Sequence, residues 1–125
     1  MIVGKKTKAY HVYSQKSMIA IKYAIKKIKQ SRISPYVQGL YLYGSCARKE
    51  QNYNSDVDLF LVLSSSIDAE LYRDDILILK SEVTPMDSSL PEVDLQIEIG
   101  DKWKKSNILY YNDIKREGVQ IWKAV

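Results

Sequence analysis

The sequence predicts an α+β fold, because segments with helical and with strand periodicity both recur along its 125 residues. One apolar stripe lies at helical spacing, at Met18, Ile21, Ile25 and Ile28. Three later segments, 37–43, 57–63 and 93–99, are rich in aliphatic or aromatic side chains, and the last alternates strictly between apolar and polar residues. Such segments are typical of strands.

The order of these signals, and the residues that interrupt them, predict each element in turn. A first helix is predicted from Ser14 to about Arg32, and Pro35 marks the break after it. Gly118 is predicted to cap the last helix. The remaining elements are strands at 37–43, 57–63, 93–99 and 119–122, helices at 46–50, at 69 to about 80 and at about 106–117, and a polar turn at 52–55.

Length and composition indicate one globular domain over residues 1–125. Hydrophobic residues make up 46% of the chain and charged residues 27%, which is ordinary for such a domain. No apolar run approaches the roughly 18 residues that a membrane span needs, and the N-terminus lacks the apolar stretch of a signal peptide. Cys46 is the only cysteine, so it cannot form an internal disulfide. We therefore predict a cytoplasmic protein.

Charge is divided unequally along the chain. Residues 1–49 carry a net charge of +11 and no Asp or Glu, whereas residues 50–125 carry −7. This division favours contact between the basic part and something anionic, which could be nucleotide phosphates, a nucleic acid or an acidic partner. A basic helix that faces only water would give the same pattern, and the sequence leaves these alternatives open.

Two aspartates stand at the start of the segment 57–63. Alternate side chains of a strand point to one face, so Asp56 and Asp58 project side by side. Carboxylates this close repel each other unless a cation lies between them, and carboxylate oxygens suit Mg²⁺. A lone Asp-x-Asp is more often simply solvated, so this pair by itself does not define a metal site.

A third acid comes from the segment 93–99, where Asp94, Gln96 and Glu98 share the polar face. If this strand lies beside the first, Asp94 completes a cluster of three carboxylates. Such a cluster can hold two Mg²⁺ ions roughly 3.5–4 Å apart. Glu98 is the competing candidate, but it lies roughly 13 Å further along the strand, and we therefore favour Asp94.

Gly44 and Ser45 stand between a predicted strand and a predicted helix. Glycine permits a tight turn and a close approach of the backbone to a ligand. The N-terminus of a helix attracts phosphate, and Arg48 and Lys49 add positive charge one turn later. A serine that merely caps the helix would give the same pattern.

The combination of these segments resembles a known superfamily. The chain has Gly44-Ser45 after a strand, then ten residues, then Asp56-x-Asp58 and a third acid in an alternating strand. This pattern is similar to the nucleotidyltransferase superfamily that includes DNA polymerase beta. The stretches 43–48 and 54–59 look like the minimal nucleotidyltransferases, the MNT partners of HEPN proteins. The resemblance covers about residues 38–122, and it departs from the family at Lys49, where Gly is common.

The resemblance implies a nucleotidyltransferase fold, in which helices pack against a small mixed sheet. It also implies transfer of a nucleoside monophosphate, AMP from ATP, to an acceptor hydroxyl with the help of two Mg²⁺ ions, for which Mn²⁺ can substitute. By this resemblance the catalytic and metal-binding residues are Asp56, Asp58 and Asp94. The nucleotide-binding residues are Gly44, Ser45, Arg48 and Ser55.

The resemblance further implies a partner. No residues follow Val125 to form an acceptor-binding domain, so we expect the acceptor surface to come from a HEPN-type toxin or from a second copy of the chain. The family-level expectation is an antitoxin that transfers AMP to its toxin. Two alternatives stay open, namely an antitoxin that acts by binding alone and a small-molecule nucleotidyltransferase of the antibiotic-modifying kind. Direct binding of nucleic acid also stays open.

Overall fold

The computed structural model describes residues 15–44 and 56–123. Within these ranges the chain forms three α-helices, four β-strands and two short 3₁₀ turns, at Ser34–Tyr36 and Lys102–Lys105. The helices and strands are α1 (Gln15–Gln30), β1 (Val37–Tyr43), β2 (Val57–Leu63), α2 (Arg73–Glu82), β3 (Val93–Ile99), α3 (Leu109–Glu117) and β4 (Val119–Lys123). The helix predicted at 46–50 and the turn predicted at 52–55 lie outside the described residues. No helix within the described ranges is long and apolar enough to cross a membrane.

Most predicted boundaries are confirmed. The strands β1, β2 and β3 begin and end at the predicted residues, and α1 and β4 agree within two residues. α2 begins at Arg73 rather than Ala69, because the preceding residues form turns in which Asp68 Oδ1 accepts a hydrogen bond from Leu71 N–H (3.1 Å). α3 begins at Leu109 rather than about Ser106, after a 3₁₀ turn that the sequence pattern did not reveal.

The four strands form one mixed sheet in the order β3-β2-β1-β4. β1 pairs antiparallel with both β2 and β4, whereas β2 and β3 are parallel. A parallel pair needs a long crossover connection, and α2 lies within the connection between β2 and β3. The predicted α+β fold with a small mixed sheet is thereby confirmed.

Each face of the sheet packs against its own helices. On one face, α1 and α2 cover a core that includes Leu40, Leu59, Leu61 and Leu95. On the other face, α3 and the turn Lys102–Lys105 cover a smaller cluster. The buried members of that cluster are Phe60, Val62, Trp103 and Ile114. The predicted alternation of β2 is therefore confirmed, because its odd-numbered residues face α1 and its even-numbered residues face α3.

Gly118 ends α3 as predicted, but for a different reason than expected. Its N–H donates to Ile114 O at 2.8 Å, yet its φ of −66° is an ordinary extended value rather than the left-handed one that usually selects glycine. A Cβ on Gly118 would overlap the Ile114 carbonyl oxygen. Glycine is therefore needed here so that the two backbone segments can approach closely.

Candidate active site

Asp58 and Asp94 occupy paired positions on adjacent parallel strands. Asp58 of β2 is opposite Asp94 of β3 in the register, and neighbouring strands lie about 4.8 Å apart. Both side chains project from the face of the sheet that α3 covers. Asp58 lies two residues before Phe60 on β2 and therefore shares its face, and Phe60 packs under α3. Asp58 is half-buried and Asp94 is exposed, because β3 is an edge strand. The fold therefore brings together two of the three predicted carboxylates.

Gly44 closes β1 directly beside the Asp58 carboxylate. Tyr43, the last residue of β1, is paired with Asp58, and Gly44 follows with a φ of +74°. This is the left-handed region, which glycine enters without steric cost. A Cβ on Gly44 would overlap Oδ2 of Asp58. Two separate constraints therefore favour glycine at this position, and the second shows how closely the Asp58 carboxylate approaches the backbone.

Asp56, the remaining predicted acid, directly precedes β2 and is exposed. It stands two residues before Asp58, at the same end of the sheet. Asp94 Oδ1 accepts a hydrogen bond from Gln96 Nε2 at 3.0 Å, which restrains a side chain that is otherwise exposed on the edge strand. The three acids thus lie around one end of the two parallel strands.

Glu98, the competing candidate, has a different environment. It is opposite Val62 in the register, four positions further along β3 than Asp94. Its Oε2 accepts a hydrogen bond of 2.5 Å from the hydroxyl group of Tyr111. Glu98 therefore helps to hold α3 against the sheet, which is a structural role that the sequence pattern did not indicate.

Two tyrosine hydroxyls meet beside the carboxylates. Tyr43 Oη of β1 and Tyr110 Oη of α3 lie 2.9 Å apart, and their rings meet edge to face. Burial raises the pKa of the Tyr43 phenol far above its ordinary value, and the hydrogen bond with Tyr110 and the charges of Asp58 and Asp94 raise it further. Burial likewise raises the pKa of Tyr110. Both groups therefore remain neutral hydrogen-bonding phenols next to the acids.

Tyr110 and Tyr111 are the site-forming residues that sequence reasoning missed. Both lie in α3 and pack against Phe60, with ring centroids 6.1 Å and 6.2 Å from it. A pair of aromatic residues near the start of a predicted helix was a visible signal. The sequence did not show which face of the sheet that helix would pack against, since this depends on the tertiary fold. Tyr41 and Tyr43 of β1 also pack within the fold, through ring contacts with Phe60 and Tyr110.

The predicted phosphate-binding residues are described only in part. Gly44 has the geometry given above. Ser45, Arg48 and Ser55 lie outside the described residues, as does Lys49, where the sequence departs from the family pattern. Their predicted contacts with phosphate stay predictions.

Comparison with protein families identifies the fold that carries this site. The family described as polymerase beta, nucleotidyltransferase, matches residues 23–124. The chain belongs to this nucleotidyltransferase family. A comparison with curated protein sequences found no significant match.

Solved structures support the same fold for this nucleotidyltransferase. A protein from Sulfolobus solfataricus, inferred to be a nucleotidyltransferase, is 21% identical with a TM-score of 0.57, and the match covers 87% of this chain and 85% of that one. A toxin–antitoxin structure with AMP-PNP is 22% identical with a TM-score of 0.52, covering 82% and 73% of the two chains. A mutant of the toxin–antitoxin MntA–HpeT is 20% identical with a TM-score of 0.51, covering 89% and 75%. At these identities the likeness shows the fold alone.

The donor chemistry of the site suits a hard divalent cation. Asp58 and Asp94 supply carboxylate oxygens from adjacent strands, Asp56 supplies a third carboxylate nearby, and such oxygens are the ligands that Mg²⁺ takes in proteins. Within residues 15–44 and 56–123, no three side chains of His, Cys, Asp or Glu are already arranged as a metal-binding group. The three-carboxylate metal site therefore stays a prediction of the sequence.

Proposed function

We propose that this nucleotidyltransferase transfers AMP from ATP to a hydroxyl group of a partner protein, as the antitoxin of a HEPN/MNT toxin–antitoxin pair. The observation that carries the proposal is the pairing of Asp58 with Asp94, beside a glycine that admits the Asp58 carboxylate. Like charges on adjacent strands repel each other, and a cation bound between them removes that repulsion. A metal-dependent transfer of a nucleotide group can use two carboxylates placed in this way to hold its metal ions.

Asp56, Asp58 and Asp94 are the residues that would hold Mg²⁺, with Mn²⁺ as a substitute. When bound, the ions would neutralise phosphate charge and favour ionisation of the acceptor hydroxyl. The chain itself fixes where two of these carboxylates lie, through the register of β2 and β3. Positioning and charge neutralisation are the main sources of catalysis in phosphoryl-type transfers.

In the proposed step, the acceptor oxygen attacks the α-phosphorus of ATP in line with the bond to the β-phosphate. A new P–O bond forms, the bond between the α-phosphorus and the bridging oxygen breaks, and pyrophosphate leaves with the bonding electrons. The acceptor proton passes to the Asp94 carboxylate. Asp94 is exposed on the edge strand whereas Asp58 is half-buried, so the acceptor approaches from the Asp94 side.

The turn after β1 would hold the other end of the nucleotide. Gly44, with Ser45, would bind the β- and γ-phosphates, and Arg48 and Ser55 would add contacts from the segment that follows. Tyr43, together with Tyr110, would form an uncharged wall beside the triphosphate, because the pKa of each phenol is raised and neither adds negative charge.

The solved structures support the choice of nucleotide and partner. One similar toxin–antitoxin structure contains AMP-PNP, which is an ATP analogue. Another is a mutant of MntA–HpeT in which two aspartates, one residue apart, are replaced by glutamate. That spacing is the same as between Asp56 and Asp58 of this chain. Both support a nucleotide-dependent antitoxin as the function to test first.

The test is to incubate the chain with a co-purified HEPN-type partner, ATP and Mg²⁺, and to record the intact mass of the partner. We expect the partner to gain one or more AMP units, and the Asp56→Asn/Asp58→Asn variant to give no gain. Asp74→Asn/Glu82→Gln is the matched control, since it removes the same charge from exposed positions of α2. It should modify the partner as the wild type does.

Growth assays separate catalysis from binding. If the Asp56→Asn/Asp58→Asn variant still neutralised the toxin as well as the wild type, binding alone would account for the biology. If the partner gained no mass from the wild-type chain either, the proposed acceptor would be wrong.

A further inference from the structure

The basic surface of α1 lies on the opposite side of the sheet from the carboxylates. α1 packs through Ile21, Ile25 and Ile28 onto the sheet face that also receives α2. Asp58 and Asp94 project from the other face, under α3. The sheet therefore lies between this basic surface and the carboxylates, so the exposed lysines of α1 face away from the proposed nucleotide site.

Three exposed lysines form a line along the side of α1 that faces away from the sheet. We call Lys22, Lys26 and Lys29 the α1 lysine stripe; all three are exposed. Their spacing of four and three residues places them on one side of the helix, with axial separations of about 6 Å and about 4.5 Å at 1.5 Å per residue. The positive charges are thus closely and regularly spaced.

Among the residues that the structure describes, the charge of this stripe is largely uncompensated. Within the described parts of the chain, neither Lys22 nor Lys26 forms an ion pair, and the one ion pair at the end of α1 joins Arg32 to Asp75 at 3.4 Å. Residues 1–49 contain no Asp or Glu and carry +11. An uncompensated basic stripe of this kind attracts a polyanion.

The composition of the stripe favours a nucleic acid over an acidic protein. Lysine is depleted in the cores of protein–protein interfaces, where aromatic residues and arginine are enriched. A lysine ammonium is a compact point charge that can bind single phosphate oxygens, whereas bidentate recognition of carboxylate or phosphate selects arginine. The stripe contains lysine alone and only one exposed large aliphatic neighbour on α1, Ile19, which is 52% exposed.

Two half-buried aromatic rings flank the stripe. Lys29 Nζ lies 5.6 Å from the ring centroid of Trp122, and Lys27 Nζ lies 5.5 Å from that of Tyr23. Surfaces that bind single-stranded nucleic acid combine positive charge along the backbone with aromatic side chains that contact the bases. The aromatic neighbours add to the case that charge alone makes.

We propose that the α1 lysine stripe binds the sugar–phosphate backbone of a nucleic acid, on the face of the sheet opposite the nucleotidyltransferase site. This proposal does not rest on the proposed function, because no residue of the carboxylate site takes part. Nucleic acid and nucleotide would occupy separate surfaces and could be bound at the same time.

The test is fluorescence anisotropy with labelled single-stranded RNA, single-stranded DNA and duplex DNA of equal length, titrated with the full chain at several salt concentrations. Three lysine contacts predict a slope of log Kobs against log [salt] near −2 for a single strand, at about −0.7 per phosphate. Lys22→Gln/Lys26→Gln should lower affinity about tenfold and reduce the slope by about 1.4. A preference for one probe would identify the backbone that the stripe binds. Similar binding of all three would show that the stripe binds each of these backbones.

The matched control is Lys102→Gln/Lys105→Gln, which removes the same charge from exposed positions on the α3 side of the sheet. This variant should keep the wild-type affinity and salt slope. An equal loss in both variants would indicate general electrostatic attraction and would overturn the assignment to α1. Failure of all three probes to bind at about 50 mM salt, where electrostatic binding is strong, would overturn the proposal itself.

Discussion

Asp58 on β2 and Asp94 on β3 are directly opposite each other in a parallel register, so that two carboxylates from segments 36 positions apart in the chain meet at one end of the sheet. Asp58 is in turn opposite Tyr43 of β1. The three strands therefore place a phenol and two carboxylates in one row.

The first prediction concerns metal binding. Asp58→Asn and Asp94→Asn should each weaken Mn²⁺ binding at least about tenfold, because each removes a charged oxygen donor. Glu98→Gln makes the same change of charge but should leave Mn²⁺ affinity near the wild-type value, since the Glu98 carboxylate is hydrogen-bonded to Tyr111. Calorimetric titration measures all three. A larger loss in Glu98→Gln than in Asp94→Asn would show that the third ligand has been assigned wrongly.

The second prediction separates two roles of a left-handed glycine. Gly44 and Gly100 have φ values of +74° and +81°, so alanine at either position should cost about 1–2 kcal/mol in backbone strain. Only at Gly44 would the added Cβ overlap Asp58, whereas at Gly100 the nearest atom is Ser65 Cβ at 3.7 Å. Gly44→Ala should therefore also lose Mn²⁺ binding, and Gly100→Ala should keep it. Urea denaturation and calorimetry check the two effects, and equal Mn²⁺ affinity of the two variants would contradict the contact.

The third prediction is a dependence of stability on alkaline pH. Burial, the hydrogen bond with Tyr110 and the nearby carboxylates raise the pKa of Tyr43 in the folded state, whereas an unfolded tyrosine ionises near pH 10. The stabilisation is therefore complete below about pH 10 and is lost as the pH rises above it, because only the unfolded state then releases the proton. Each pKa unit by which the folded state exceeds the unfolded state contributes at most about 1.4 kcal/mol, and solvent screening of this half-buried group lowers the total effect.

Urea denaturation at about pH 8 and about pH 11, on either side of the tyrosine pKa, tests this sign. The free energy of unfolding should fall more in the wild type than in Tyr43→Phe, which has no phenol to ionise at this position. At the lower pH, Tyr43→Phe should be less stable by about 0.5–1.5 kcal/mol through loss of the hydrogen bond with Tyr110. Identical pH slopes would show that Tyr43 does not contribute.

The fourth prediction concerns the attachment of α3. Phe60 contacts Trp103, Tyr110 and Tyr111, so Phe60→Ala should destabilise the fold by about 3–5 kcal/mol and loosen α3 over the site. Leu61→Ala should cost a similar about 2–5 kcal/mol, but Leu61 faces α1. Amide hydrogen exchange under conditions where both variants are folded should be faster in α3 only for Phe60→Ala. Equal exchange would mean that Phe60 does not anchor the helix.

The sequence by itself determined the local features of the protein. It showed which residues form β1, β2 and β3 and which of their side chains face the same way, because the two-residue period of a strand is a local property of the backbone. It also singled out Asp58, Asp94 and Gly44, since carboxylates at a strand end and a glycine at a junction are visible without a fold. The predicted start of α3 was wrong. The turn at Lys102–Lys105, which precedes the helix, is held by packing of Trp103 and shows no periodic pattern in the sequence.

Only the tertiary structure decided how these local features meet. The pairing of Asp58 with Asp94 depends on the parallel register of two strands separated by a crossover. The contact of Tyr110 with Tyr43 depends on which face α3 covers. The separation of the α1 lysine stripe from the carboxylates depends on the sheet lying between them. Each of these relationships is set by the packing of segments distant in the chain, where burial of apolar surface selects one arrangement that no local pattern specifies.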